Sequence, residues 1–182
     1  MESGPTVYPT QPSRPAGRKP SRRLRWSRSP VSDPQSVHPV EMAHLMQCSS
    51  GPVIPEELTH VYQQWHIAPA VRAGNLVICS GVLGQQLDGT IADNPTTQFT
   101  LAFENLQRVL AAAGADLTHV VELVTFHTDL EGDLESFSAV KERFIREPYP
   151  AWTALGVAQL GAGLTPTPRV EMKATAYLTD TV

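Results

Sequence analysis

The chain has 182 residues, of which 41% are hydrophobic and 18% charged, with a formal net charge of −4. No apolar run approaches the roughly 18 residues of a membrane-spanning helix. Two cysteines, Cys48 and Cys79, exclude a disulfide framework and a cysteine-based zinc module, though not a single bridge.

Residues 1–52 hold nine of the sixteen prolines, with seven Lys/Arg against three acids, a net of +4. Residues 53–182 carry seven basic and fifteen acidic side chains, a net of −8. The first segment lacks hydrophobic periodicity and is expected to be a disordered basic tail. Arg22-Arg23 is not followed by an apolar h-region, and Pro5, Pro9, Pro12, Pro15 and Pro20 oppose an amphipathic transit helix. Two readings of the tail stay open: a basic arm that touches nucleic acid, or a functionless stretch ahead of a start at Met42 or Met46.

The body, residues 53–182, reads as one domain. Ala70 to Asn75 predicts a short strand entering a Gly-Asn turn, and Leu76 to Val82 a buried strand. Leu87 to Ile91 reads as a turn with a strand stub. Asn94 and Pro95 open a helix whose apolar stripe is Phe99, Ala102, Phe103, Leu106, Leu110 and Ala113, and Gly114 closes it. Glu104, Gln107 and Arg108 lie off that stripe. Val120 to Thr128 predicts a strand. Asp133 is expected to cap a second helix, with Leu134, Phe137, Val140, Phe144 and Ile145 on one face, ended by Glu147-Pro148. Ala151 to Leu160 and Arg169 to Leu178 predict the last two strands. The order β-β-(β)-α-β-α-β-β points to an α+β domain, a single mixed β-sheet with two helices on one face. Val, Ile and Leu on the other face call for a partner to cover it.

Several sequence words stand in register: Ala70-Val71-Arg72-Ala73-Gly74-Asn75-Leu76 with Cys79-Ser80-Gly81; Phe103-Glu104-Asn105-Leu106 through Gly114-Ala115; Val120-Val121-Glu122 through Thr128-Asp129-Leu130; Tyr149-Pro150-Ala151; and Val170-Glu171-Met172. With these words the body, over about residues 66–178, resembles the Rid/YjgF (L-PSP-like) family of reactive-intermediate deaminases. The resemblance implies homotrimers whose sheets form a central barrel, with three pockets at subunit interfaces. It implies hydrolysis of enamines or imines of 2-amino acids without metal or organic cofactor, in a cytoplasmic or organellar setting; cytoplasmic is the expectation here. In that family an arginine follows the late Pro-Ala and forms a bidentate pair with the substrate carboxylate. This chain has Trp152 there. The family's pocket tyrosine aligns with Ile67, its second-helix asparagine with Lys141, and its cysteine near the arginine with Ala154. Ser80, Gly81 and Glu171 remain as the family has them. The chain thus resembles a branch without the diagnostic arginine.

The resemblance makes Glu171 and Ser80 the candidate catalytic residues: a carboxylate in an apolar strand, if buried, would have a raised pKa suited to acid–base work, and the Ser80 hydroxyl can position a ligand. A solvent-facing strand residue is the plainer reading. Trp152 is either an aromatic wall for a ligand or interface core. Arg169, two residues before Glu171, is expected on the same side of the strand, where it could replace the lost cation. Lys141 is the other candidate cation, and a surface charge is the plainer role for both. His127 ends its strand, and a hydrogen-bonded structural role is the commoner one for a lone histidine. The six histidines show no HxxxH spacing, so no metal site is expected. Three functions are therefore in view: a Rid-like hydrolase of a small reactive imine or enamine, a ligand-binding sensor or scavenger without turnover, and an RNA-acting protein. The −8 body disfavours phosphate contacts and ranks the last of these lowest.

Overall fold

The structure, a computed structural model, describes residues 50–179. The readings of the basic tail and of a start at Met42 or Met46 lie outside the described residues. The element order is β1 (Ser50–Val53), α1 (Thr59–Trp65) after a 3-10 turn, β2 (Ala70–Ala73), β3 (Leu76–Cys79), β4 (Val82–Leu83), α2 (Pro95–Ala112), β5 (Val120–His127), α3 (Leu130–Phe144), β6 (Ala151–Gly156) and β7 (Val170–Tyr177). The first strand starts at Ser50, so the sheet begins inside the segment read as tail.

The strands form one sheet in the order β1-β2-β3-β7-β5-β6, and β4 also pairs with β7. Every pairing is antiparallel except β5 with β6. That one parallel pair follows from the crossover through α3, since parallel neighbours need a long connection. The two long helices, α2 and α3, pack on each other and on the same face of the sheet. The fold is therefore the mixed α+β arrangement expected, with α1 as a third, short helix.

Local chemistry explains the helices. The side chain of Asn94 accepts the Thr97 N–H at 3.1 Å, Pro95 occupies the first turn, and Gly114 takes φ 74° after the last turn. The predicted stripe is the buried face, with Gln98 and Val109 added; Ala113 is only partly buried. The second long helix starts one turn earlier than expected. Asp129, not Asp133, is its N-cap, accepting the Gly132 N–H at 3.2 Å. Asp133 lies within the helix and is buried, whereas Leu134 is exposed rather than part of the packed face.

The core is aromatic where the helices meet the sheet. Phe103 stacks on Phe144 at 4.9 Å and on Phe137 at 5.8 Å, and Phe99 meets Phe137 edge-on at 5.5 Å. Cys79 packs here as a small hydrophobe, and burial pushes its thiol up to about 11.

The run Leu76 to Val82 is not one strand buried on both faces. It breaks at Ser80-Gly81, and β3 alternates, with Val77 and Cys79 buried and Leu76 and Ile78 exposed. Val71 lies opposite Ile78, and Leu76 opposite Tyr177, so four exposed apolar side chains share the open face. The expected strands at 151–160 and 169–178 shorten to β6 and β7.

Candidate functional site

Cross-strand register divides the predicted residues between the two faces of the sheet. On β7, Val170 and Met172 are buried under the helices, and Glu171 between them faces the open side. Glu171 lies opposite Leu83 on β4 and Phe126 on β5. Trp152 lies opposite the fully buried Leu123, on the helix face. Within one chain the sheet therefore stands between Glu171 and Trp152.

Glu171 sits against the Ser80-Gly81 break. A Cβ at Gly81 would collide with the Glu171 carboxyl, so glycine is what allows the two segments to touch. The carboxyl is half-buried, and no hydrogen bond or ion pair holds it among the described residues. Burial pushes its pKa above the ordinary carboxyl value, with no compensating charge. The Ser80 hydroxyl donates to the Ala68 carbonyl at 2.7 Å, which fixes its orientation and leaves its lone pairs to accept.

Ser80, Gly81 and Ile67 line a cavity of about 240 Å³. Its roof is the 3-10 turn and α1, through Glu57, Leu58, His60 and Val61. The turn from Gln85 to Gly89 forms one wall, and Asn105, Arg108 and Val109 of α2 form its floor. Asn105 is spent on shaping that wall: its Nδ2 donates to the carbonyls of Leu83 at 2.9 Å and Gln85 at 2.8 Å. Its Oδ1 accepts from Arg108 Nη1. Arg108 lies off the apolar stripe, so periodicity gives it no role. The usable signal was the three-residue step from Asn105, which puts both on one helix edge. The roof carries no periodic sequence signal, because α1 is short and buries no residue completely.

The remaining candidates gather on the helix face. Trp152 Nε1 donates to Thr125 Oγ1 at 3.1 Å, its ring lies 5.9 Å from that of Phe137, and Lys141 Nζ stands 4.4 Å over it. Lys141 and Trp152 are thus in direct contact. His127 is fully buried, its Nε2 3.0 Å from Thr125 Oγ1 and its ring 4.8 Å from that of Phe137. Burial lowers its pKa, and the charge of Asp133 pushes the other way. It packs in the core and is not part of the wall of the cavity at Ser80-Gly81.

Arg169 does not stand beside Glu171 as a replacement cation. It precedes β7, and its guanidinium forks onto Asp133 at 2.7 and 2.8 Å and reaches Asp129 at 2.9 Å. Two carboxylates consume its charge, and this pairing raises its pKa further. Among the described residues no three His, Cys, Asp or Glu side chains are grouped to hold a metal ion.

Comparison with known proteins gives consistent matches. The family model described as endoribonuclease L-PSP matches residues 61–178. The RutC family protein YjgH of Escherichia coli strain K12 is 39% identical over 109 residues, spanning 59% of this chain and 83% of that one. The 2-iminobutanoate/2-iminopropanoate deaminase of Dermatophagoides farinae is 32% identical over 97 residues, spanning 50% and 72%. A solved structure of protein YjgH superposes with a TM-score of 0.64 at 34% identity, covering 72% of this chain and 98% of that one.

Proposed function

The chain belongs to the Rid/YjgF family, and we propose that it is a cytoplasmic, cofactor-independent hydrolase of small 2-imino acids or their enamines. The observation that carries this reading is the unpartnered, half-buried Glu171 carboxyl held against Gly81, which with Ser80 lines a cavity. A relative named for 2-iminobutanoate and 2-iminopropanoate deamination supports the reaction class.

The chemistry needs one water and one proton carrier. Water adds to the iminium carbon as Glu171 takes its proton, giving a carbinolamine. The protonated Glu171 then returns the proton to nitrogen, the carbinolamine hydroxyl gives its own proton back to the Glu171 carboxylate as the C–N bond breaks and the C=O forms, and the departing ammonia takes that proton up and leaves as ammonium with a 2-oxo acid. A carboxyl with a raised pKa suits both halves, since it neither holds its proton too weakly nor stays permanently charged.

The opposite placement of Trp152 and Glu171 fits pockets shared between copies of a homotrimer. Ser80, Gly81, Ile67 and Glu171 of one subunit would face Trp152 and Lys141 of the next, across the apolar open face and the β6 edge. Trp152 then supplies an aromatic wall in place of a guanidinium. The −8 body speaks against RNA as a partner.

Freshly generated 2-iminobutanoate, with semicarbazide trapping in parallel, tests the reading. The wild type is expected to release ammonia and shorten the imine's lifetime. Glu171→Ala is expected to lose about 10²- to 10⁴-fold in rate while eluting as the same trimer in gel filtration. A silent wild type together with an active Trp152→Arg would instead establish a non-catalytic binding protein for this substrate class.

A further inference from the structure

Arg108 has the surroundings of a ligand contact and is used for nothing else. Its Nη1 is tied to Asn105, whose own amide is pinned by the Leu83 and Gln85 carbonyls. That pinning holds the guanidinium in place through a single donor. Its other N–H groups form no hydrogen bond among the described residues, and no carboxylate there lies in ion-pair range. Arg108 lines both the 240 Å³ cavity and a shallow depression that shares Gln86, Leu87 and Asp88 with it, so the charge is reachable from solvent.

The rest of the wall is mostly apolar, with Leu58, Val61, Val82, Leu83, Leu87 and Val109. The cavity's volume of about 240 Å³ leaves room for a small metabolite. The two acids of the lining are exposed, and the Asp88 carboxylate already accepts from the Thr90 backbone and hydroxyl. Glu57 and Asp88 would repel a second negative group on the ligand. The cavity therefore combines one positioned cation, apolar walls and acidic lips.

We infer that Arg108 is the counter-ion for the carboxylate of a small monocarboxylate ligand, with the carbon bearing the imine or carbonyl directed toward Ser80-Gly81 in the same cavity. For the reacting group this rests on the hydrolase reading above; for the carboxylate it rests on Arg108 alone. The guanidinium provides planar, bidentate recognition, and the acidic lips select monocarboxylates over dicarboxylates.

Calorimetric titration of the full chain at low salt tests this with stable probes. 2-Oxobutanoate is expected to bind. 2-Butanone, which lacks the carboxylate, and 2-oxoglutarate, which adds one, are each expected to bind at least about tenfold more weakly. Arg108→Gln is expected to lose at least about tenfold in 2-oxobutanoate affinity, and Arg108→Lys to keep part of it. Equal binding of 2-oxobutanoate and 2-butanone, absence of 2-oxobutanoate binding, or wild-type affinity in folded Arg108→Gln would each overturn the inference. If Arg108→Gln does not fold, the three-ligand comparison on the wild type decides. Imine turnover separates the two proposals: wild-type kcat and KM in Arg108→Gln sinks this one alone, whereas Arg108-dependent binding without turnover sinks the hydrolase reading alone.

Discussion

Around Arg169 each charge meets its complement: two aspartates hold the guanidinium in a fork, and its backbone N–H donates to Gln98 Oε1 at 2.8 Å. Around Arg108 one neutral amide holds the guanidinium from one side, and the other side opens on a cavity. The two arginines sit at comparable depth, both partly buried. What differs is whether the fold has used the charge. The Arg169 region ties the start of β7 to α3, while the Arg108 region keeps binding capacity in reserve. A site is better recognised by unspent hydrogen-bonding capacity beside a void than by the presence of charge.

Truncations on the two sides should separate them most widely. Phe137→Ala removes the ring that touches Phe99, Phe103, His127 and Trp152, and urea unfolding should show a loss of about 3–5 kcal/mol. Leu87→Ala, on the cavity wall and 65% exposed, should stay within about 0.5 kcal/mol. Similar losses for the two would erase the distinction.

A finer cut is Asp133→Asn. It weakens the fork while leaving Asp129 to hold Arg169, so about 2 kcal/mol is expected from the same unfolding measurement. A change near zero would mean the Arg169 cluster is as loosely used as Arg108.

The smallest effect is a pH dependence at Glu171. Its folded pKa is raised, so the folded state holds the proton more tightly than the unfolded chain does. Stability from this group is present at low pH and falls as pH rises from the ordinary carboxyl range, about 4.3, through the raised folded value. Glu171→Gln should therefore melt slightly higher than wild type at neutral pH and equal to it below that range. A lower melting temperature at neutral pH would show that the carboxylate has a stabilising partner after all.

The legible parts of the molecule were those written locally. The helix from Pro95 carries its cap, its stripe and its terminal glycine within 21 residues of sequence. The strands β5 and β7 announce themselves through β-branched and apolar residues. The cap of α3 did not, because Asp129 and Asp133 are four residues apart and chemically identical. Both carboxylates meet Arg169, 36 residues downstream of Asp133, and that contact is not written in the local sequence. The run at Leu76 read as fully buried because composition cannot distinguish a core face from an apolar open face. Among the candidate residues, Ser80, Gly81, Ile67 and Glu171 come together, and so do Trp152 and Lys141. That the sheet stands between the two groups is a fact of register that no local pattern carries.

The contact between Gly81 and Glu171 has a bearing on how related chains are compared. The carboxyl occupies the volume that any side chain at position 81 would claim. The two positions thus constitute one character rather than two. A relative that keeps the glutamate but gains even a methyl at the equivalent of Gly81 has, in effect, already moved its acid. The glycine and the acid are therefore best compared as a pair.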